Sequence, residues 1–257
     1  MPAKEFSIEQ RGVGMLKLAE EIIDDAERAA QRGASLEGAL AVLRGLDIDN
    51  FGLLLLGMPD PRWPALSVLL PAASTEEMDR HLTGDTGVSL LLKSTRFMRA
   101  LEADFLRYTG RSLLGVRVLD YGYGYGRLTR LMLKYTDPVS IYGCDVAQRS
   151  LDWASQLRLP GQYALIDEAP TSLPFAPGSF DLIYAVSAFY AFVRTRYPGR
   201  DECPYQCSQA QWTIGRNDPR RHVLADFRQG HARASRSSYC RPSGDRVCVF
   251  PIPALST

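Results

Sequence analysis

Between Val116 and Val186 short β-rich runs alternate with helical stretches, and this alternation limits the fold more than any other feature of the chain. Val116-Arg-Val-Leu-Asp120 predicts a strand, Tyr121-Gly-Tyr-Gly-Tyr-Gly126 a tight turn, and Arg127 to Tyr135 a helix with Leu128, Leu131 and Met132 facing inward. Ser140 to Asp145 reads as a second strand, Ser150 to Leu157 as a second helix, Gln162 to Asp167 as a third strand and Phe180 to Val186 as a fourth. Parallel neighbours need a crossover long enough to hold a helix, so this rhythm means βαβ units in an open parallel sheet.

In such a sheet a ligand lies beyond the carboxyl ends of the strands, where a glycine-rich first turn lets backbone approach it. Gly122, Gly124 and Gly126 stand at that place with the spacing G-x-G-x-G. The dinucleotide fingerprint is G-x-G-x-x-G and offers a helix N-terminus to a diphosphate. Here Asp120 ends the strand two residues before the first glycine, and an acid so placed repels a diphosphate but suits a cationic group. Asp145 ends the second strand, where a carboxylate can accept hydrogen bonds from the paired hydroxyls of a ribose.

Three stretches together, Val118-Leu-Asp-Tyr-Gly-Tyr-Gly-Tyr-Gly-Arg127, Ile141-Tyr-Gly-Cys-Asp145 and Leu173-Pro-Phe-Ala-Pro-Gly-Ser-Phe-Asp-Leu-Ile-Tyr184, resemble the landmarks of class I S-adenosylmethionine-dependent methyltransferases. The resemblance covers about residues 85–192. It implies a Rossmann-like α/β sheet, S-adenosyl-L-methionine as cofactor, and methyl transfer to an acceptor the residues do not identify. By the same resemblance Asp120, Gly122, Gly124 and Gly126 surround the amino-acid end of the cofactor, Asp145 with Val146 beside it holds the ribose, and Asp167 lies near the adenine. Two departures stand out. Tyr123 and Tyr125 fill places that the family usually gives to small residues, and Ala191 or Phe192 stands where many relatives carry a His. Tyr184, Ser187 and Tyr190 can line an acceptor pocket or simply pack. No catalytic residue is assigned.

Ahead of this core, residues 1–110 read as helical. Apolar positions from Ile8 to Arg32 recur at helical spacing, Ser35 caps a second helix to Leu46, and a further helix starts near Thr75. After Gly84-Asp-Thr-Gly87 a long helix runs to Gly110. Asp47 to Ser74, broken by Pro59, Pro61, Pro64 and Pro71, reads as loops around short apolar segments. The longest apolar run, Phe51 to Met58, is too short to cross a bilayer, and the N-terminus lacks a secretory core, so a cytoplasmic location is expected, with neither membrane nor nucleic acid as partner.

The remainder, 193–257, has another composition. Residues 1–192 carry 19 Lys+Arg against 24 Asp+Glu, whereas 193–257 carry 11 against 5, all eleven being Arg, with four of the five cysteines. Outside Arg220 to Phe227 and Arg246 to Phe250 this tail shows no strand or helix period. Three readings of it stay open. It is out of frame, which would leave the fourth strand with a bare edge and the product inactive; it is an Arg-rich polyanion-binding module; or Cys203, Cys207 and His222 or His231 hold zinc, a poor match to structural sites, so no metal is assigned. For the core, the alternative enzyme class is a nicotinamide-dependent oxidoreductase.

Overall fold

In a computed structural model, the structure describes residues 8–168, 170, 172–176 and 178–186, with backbone alone at 8–17 and in the strands 210–215, 222–228 and 231–236. The chain divides into two compact units, 1–99 with 157–159, and 100–156 with 160–257.

The first unit is helical: α1 (Ile8–Gln31), α2 (Leu36–Leu43), α3 (Ile48–Leu56), α4 (Pro64–Leu69), α5 (Glu76–Thr83) and the start of α6 (Gly87–Thr109). Capping fixes these starts. The Ser35 hydroxyl accepts from Gly38 N–H at 3.3 Å, Asp47 Oδ1 accepts from Asp49 and Asn50 N–H at 2.9 and 3.0 Å, and the Thr75 hydroxyl accepts from Met78 N–H at 3.2 Å. The expectation of loops across 47–74 is therefore corrected. Asp47 starts α3, and Pro64 occupies the first turn of α4, where its missing N–H costs nothing. The two free N–H groups behind that proline, on Ala65 and Leu66, donate to Oε1 and Oε2 of the buried Glu27 of α1 at 3.0 and 2.8 Å. On α1 Ala19, Ile23 and Ala26 are buried, whereas Leu18 is exposed.

The second unit carries β1 (Val118–Tyr121), α7 (Thr129–Met132), β2 (Ile141–Asp145), α8 (Gln148–Gln156), β3 (Gln162–Leu165) and β4 (Leu182–Val186). β3, β2, β1 and β4 lie side by side in that order, all parallel, which is the Rossmann-like sheet expected from the βαβ rhythm. Its two faces differ. Leu119, Tyr142, Cys144 and Ile166 form a core cluster on one, joined by Leu173, Phe175 and Phe180 from the segment after β3. The rings of Tyr142, Phe175 and Phe180 meet edge to face at 5.2–5.5 Å. On the other face the register aligns Tyr184, Asp120, Gly143 and Tyr163 across four strands.

Beyond β4 the backbone continues as β5 (Ala210–Gly215), β6 (His222–Arg228) and β7 (His231–Arg236), each antiparallel to the one before and extending the sheet from the β4 edge. The bare β4 edge that the out-of-frame reading implies is not present in the described backbone, where Leu182 to Val186 pairs with Ala210 to Ile214. Strands also form at 210–215 and 231–236, where no period was visible, because antiparallel pairing rewards backbone groups whatever their side chains. Ser187, Tyr190, Ala191, Phe192 and the proposed zinc ligands lie outside the described side chains.

Candidate cofactor site

The end of β1, the glycine turn and the end of β2 form one structure held by two carboxylates. Gly122, Gly124 and Gly126 all adopt positive φ, at 75°, 60° and 78°, a region that a side chain would strain. Their three N–H groups are spent inside the turn: Gly122 donates to Cys144 carbonyl at 2.7 Å and Gly126 to Tyr123 carbonyl at 2.9 Å. Gly124 donates to Asp145 Oδ2 at 2.9 Å.

Asp145 closes the middle of the turn and its own strand end together, because its second oxygen accepts from Ala147 N–H at 2.9 Å. It is 9% exposed, and Val146 next to it is 41% exposed at the rim. Asp120 is more deeply set, at 4% exposure. Its carboxylate is turned away from solvent, with Oδ2 accepting from the Thr129 hydroxyl of α7 at 2.6 Å and from the Tyr184 hydroxyl of β4 at 3.0 Å. Burial pushes its pKa up to about 6 against the two hydrogen bonds, which favour the charged form. Asp167 follows β3 on the exposed surface.

The two tyrosines that depart from the family pattern tuck beneath the turn. Tyr123 is 5% exposed and lies against Tyr163 with ring centroids 4.8 Å apart. Gly143 makes the room, since a Cβ there would sit 2.8 Å from the Tyr123 ring and 2.7 Å from that of Tyr163. Tyr125 is equally buried and meets Trp153 of α8 edge to face at 6.4 Å. Burial raises the hydroxyl pKa values of Tyr123, Tyr163 and Tyr184, keeping all three neutral.

Sequence reasoning missed Thr129, Tyr163 and Gly143. Thr129 was accessible in principle, as a hydroxyl at the far end of the turn that Asp120 begins. Gly143 and Tyr163 join the site only through strand register, which no local pattern encodes. Among the described residues no group of three or more His, Cys, Asp or Glu side chains is placed to hold a metal ion, and no helix is long and apolar enough to cross a membrane.

Residues 118–199 match the family model of a methyltransferase domain. That match, on a parallel sheet with the glycine turn between two strand-end acids, makes this segment a Rossmann-like domain of the class I methyltransferase kind. A search of curated proteins finds no match. Among solved structures, the plantazolicin methyltransferase BpumL, solved with S-adenosylhomocysteine (SAH) and a desmethylated plantazolicin analogue, is similar at 15% identity over 60% of this chain and 65% of its own, with a TM-score of 0.29. PH0226 protein from Pyrococcus horikoshii OT3 is similar at 13% identity, over 59% and 82%, with a TM-score of 0.29. A protein-L-isoaspartate O-methyltransferase is similar at 14% identity, over 88% and 66%, with a TM-score of 0.33. The chain spans about two thirds of the length of BpumL.

Proposed function

We propose that the chain binds S-adenosylmethionine at the carboxyl ends of β1 and β2 and transfers its methyl group to an acceptor. The observation that carries this reading is the glycine turn whose three glycine N–H groups already donate to protein acceptors while two carboxylates bracket it. A diphosphate needs free N–H donors and no nearby negative charge, and this turn offers neither from its glycines, which speaks against the nicotinamide alternative. A ligand with an ammonium group is favoured at such a turn.

The residues present fit the cofactor. An ionised carboxylate has about four lone-pair positions; Gly124 and Ala147 take two on Asp145, which leaves capacity for two ribose hydroxyls. Val146 presents exposed apolar surface beside it. The cofactor supplies a sulfonium methyl whose leaving group is already activated. The protein's part is then to hold the ligand's two ends, orient it and exclude water. Tyr184, one candidate for the acceptor pocket, is fully buried and donates to Asp120, so its hydroxyl is withdrawn from that role.

Calorimetric titration of the full chain with SAH and with NAD tests the reading. Asp145→Ala is expected to weaken SAH binding by about 1–3 kcal/mol through loss of charge-assisted hydrogen bonds. Tight binding of NAD alone, or indifference of SAH binding to Asp145→Ala, refutes it.

A further inference from the structure

We propose that Asp120 is a positioning residue, not a cofactor contact: it pins both ends of the glycine turn by accepting from Thr129 and Tyr184, and its negative charge ties cofactor affinity to pH. The inference rests on the cofactor reading above and deepens it.

The pinning is geometric. One carboxylate oxygen of Asp120 takes both the Thr129 hydroxyl at 2.6 Å and the Tyr184 hydroxyl at 3.0 Å. Asp120 precedes the turn and Thr129 opens the helix after it, so this single bond spans the whole loop that contains Gly122, Gly124 and Gly126. Asp145 holds the same loop at its middle, through Gly124. Tyr184 ties the arrangement to β4, where strand register sets it opposite Asp120.

The charge is not needed for that pinning. An amide oxygen in the same place would accept from the same two hydroxyls without the cost of an ion in a dry site. What an amide cannot do is attract a cation bound at the turn. The groups that set the carboxylate's acidity come from every neighbouring element: the Thr129 and Tyr184 hydroxyls and the Arg127 guanidinium favour the ion, while Asp145 of β2 and burial oppose it. Cys144, Tyr123 and Tyr163 also interact with Asp120 and stay neutral, burial holding their own pKa values far above neutral pH. With Asp120 titrating near pH 6, a ligand ammonium that favours its ionised form must displace a proton below that pH. Affinity then falls by up to about tenfold per unit of pH.

The test is SAH binding to the full chain, measured by calorimetry from pH 5 to 7, together with thermal melts. Wild-type affinity is expected to rise at least several-fold from pH 5 to 6 and then level. Asp120→Asn should bind more weakly at pH 7, show no pH dependence, and yet melt at higher temperature. Thr129→Val and Tyr184→Phe each remove a donor that favours the carboxylate, so each should move the midpoint to higher pH; if one fails to fold, the other gives the same reading. A flat wild-type profile, an unchanged profile in Asp120→Asn, a midpoint unmoved by either hydroxyl variant, or a lower melting temperature for Asp120→Asn overturns the proposal. Absence of SAH binding at every pH removes the cofactor reading and this inference with it. Binding that is weakened by Asp145→Ala but flat with pH removes this inference alone.

Discussion

Gly143→Ala probes the space beneath the turn. The added methyl would lie 2.7 Å from Cδ1 of Tyr163 and 2.8 and 3.0 Å from two atoms of the Tyr123 ring, closer than packed carbons tolerate. These are ring atoms of the buried Tyr123 and the half-buried Tyr163, whose centroids lie 4.8 Å apart, so the Tyr123 ring cannot swing clear without displacing Tyr163 or the turn above. Overpacking of this kind costs about 1–3 kcal/mol, partly offset by the gain of about 0.5–1 kcal/mol when a strand glycine gains a side chain. The net cost is about 0–2.5 kcal/mol, and for a chain of this size each kcal/mol corresponds to about 2–4 °C in melting temperature, so a drop of up to about 10 °C is expected. The decisive assay is a double-mutant cycle with Tyr123→Cys, which restores the small side chain usual in the family at that position. In the Tyr123→Cys background the same Gly143→Ala change should cost nothing or stabilise, giving a coupling of about 1 kcal/mol or more. Equal costs in the two backgrounds, within about 0.5 kcal/mol, would refute the account of why glycine stands there.

Glu27→Ala should lower the urea midpoint by the equivalent of about 2–4 kcal/mol, because the Ala65 and Leu66 N–H groups lose a charged acceptor in a largely buried place; an unchanged midpoint would show that water replaces it. Asp120 has a folded-state pKa raised from 3.8 to about 6, so the folded chain holds the extra proton between these values and stability falls as pH rises through them, by at most about 3 kcal/mol. Asp120→Asn should therefore stabilise at pH 7 and make little difference at pH 4, which denaturation at the two pH values will check.

Much of the sheet and its turn was legible because each strand ends on a local signal. β1 stops at Asp120 and Tyr121 before glycines, β2 at Asp145, and helices α2 and α5 begin at Ser35 and Thr75 as capping chemistry dictates. The short α3 and α4 were hidden because prolines scattered through 47–74 suggest breaks unless one sees that Pro64 occupies a first turn. The direction of the Asp120 carboxylate was not legible at all. Position at a strand end suggests an open pocket, but Thr129 and Tyr184 arrive from 9 and 64 residues away and draw it inward. Likewise the fate of the two turn tyrosines depended on a missing side chain on the next strand, a relation created by pairing rather than by sequence neighbourhood.

Leu157 to Leu159 belong to the helical unit although the residues on either side belong to the sheet unit. The Leu157 carbonyl accepts from Ala72 N–H at 2.9 Å, and the Arg158 guanidinium donates to the Ser67 and Val68 carbonyls at 2.8 and 2.6 Å. A gene cut after codon 99 would consequently not yield two self-sufficient pieces: the downstream fragment would carry a three-residue graft stripped of its hosts, and the upstream fragment would have its α4 carbonyls uncovered. Dissection of this protein calls for point substitutions or a transplanted 157–159 segment in place of simple halving.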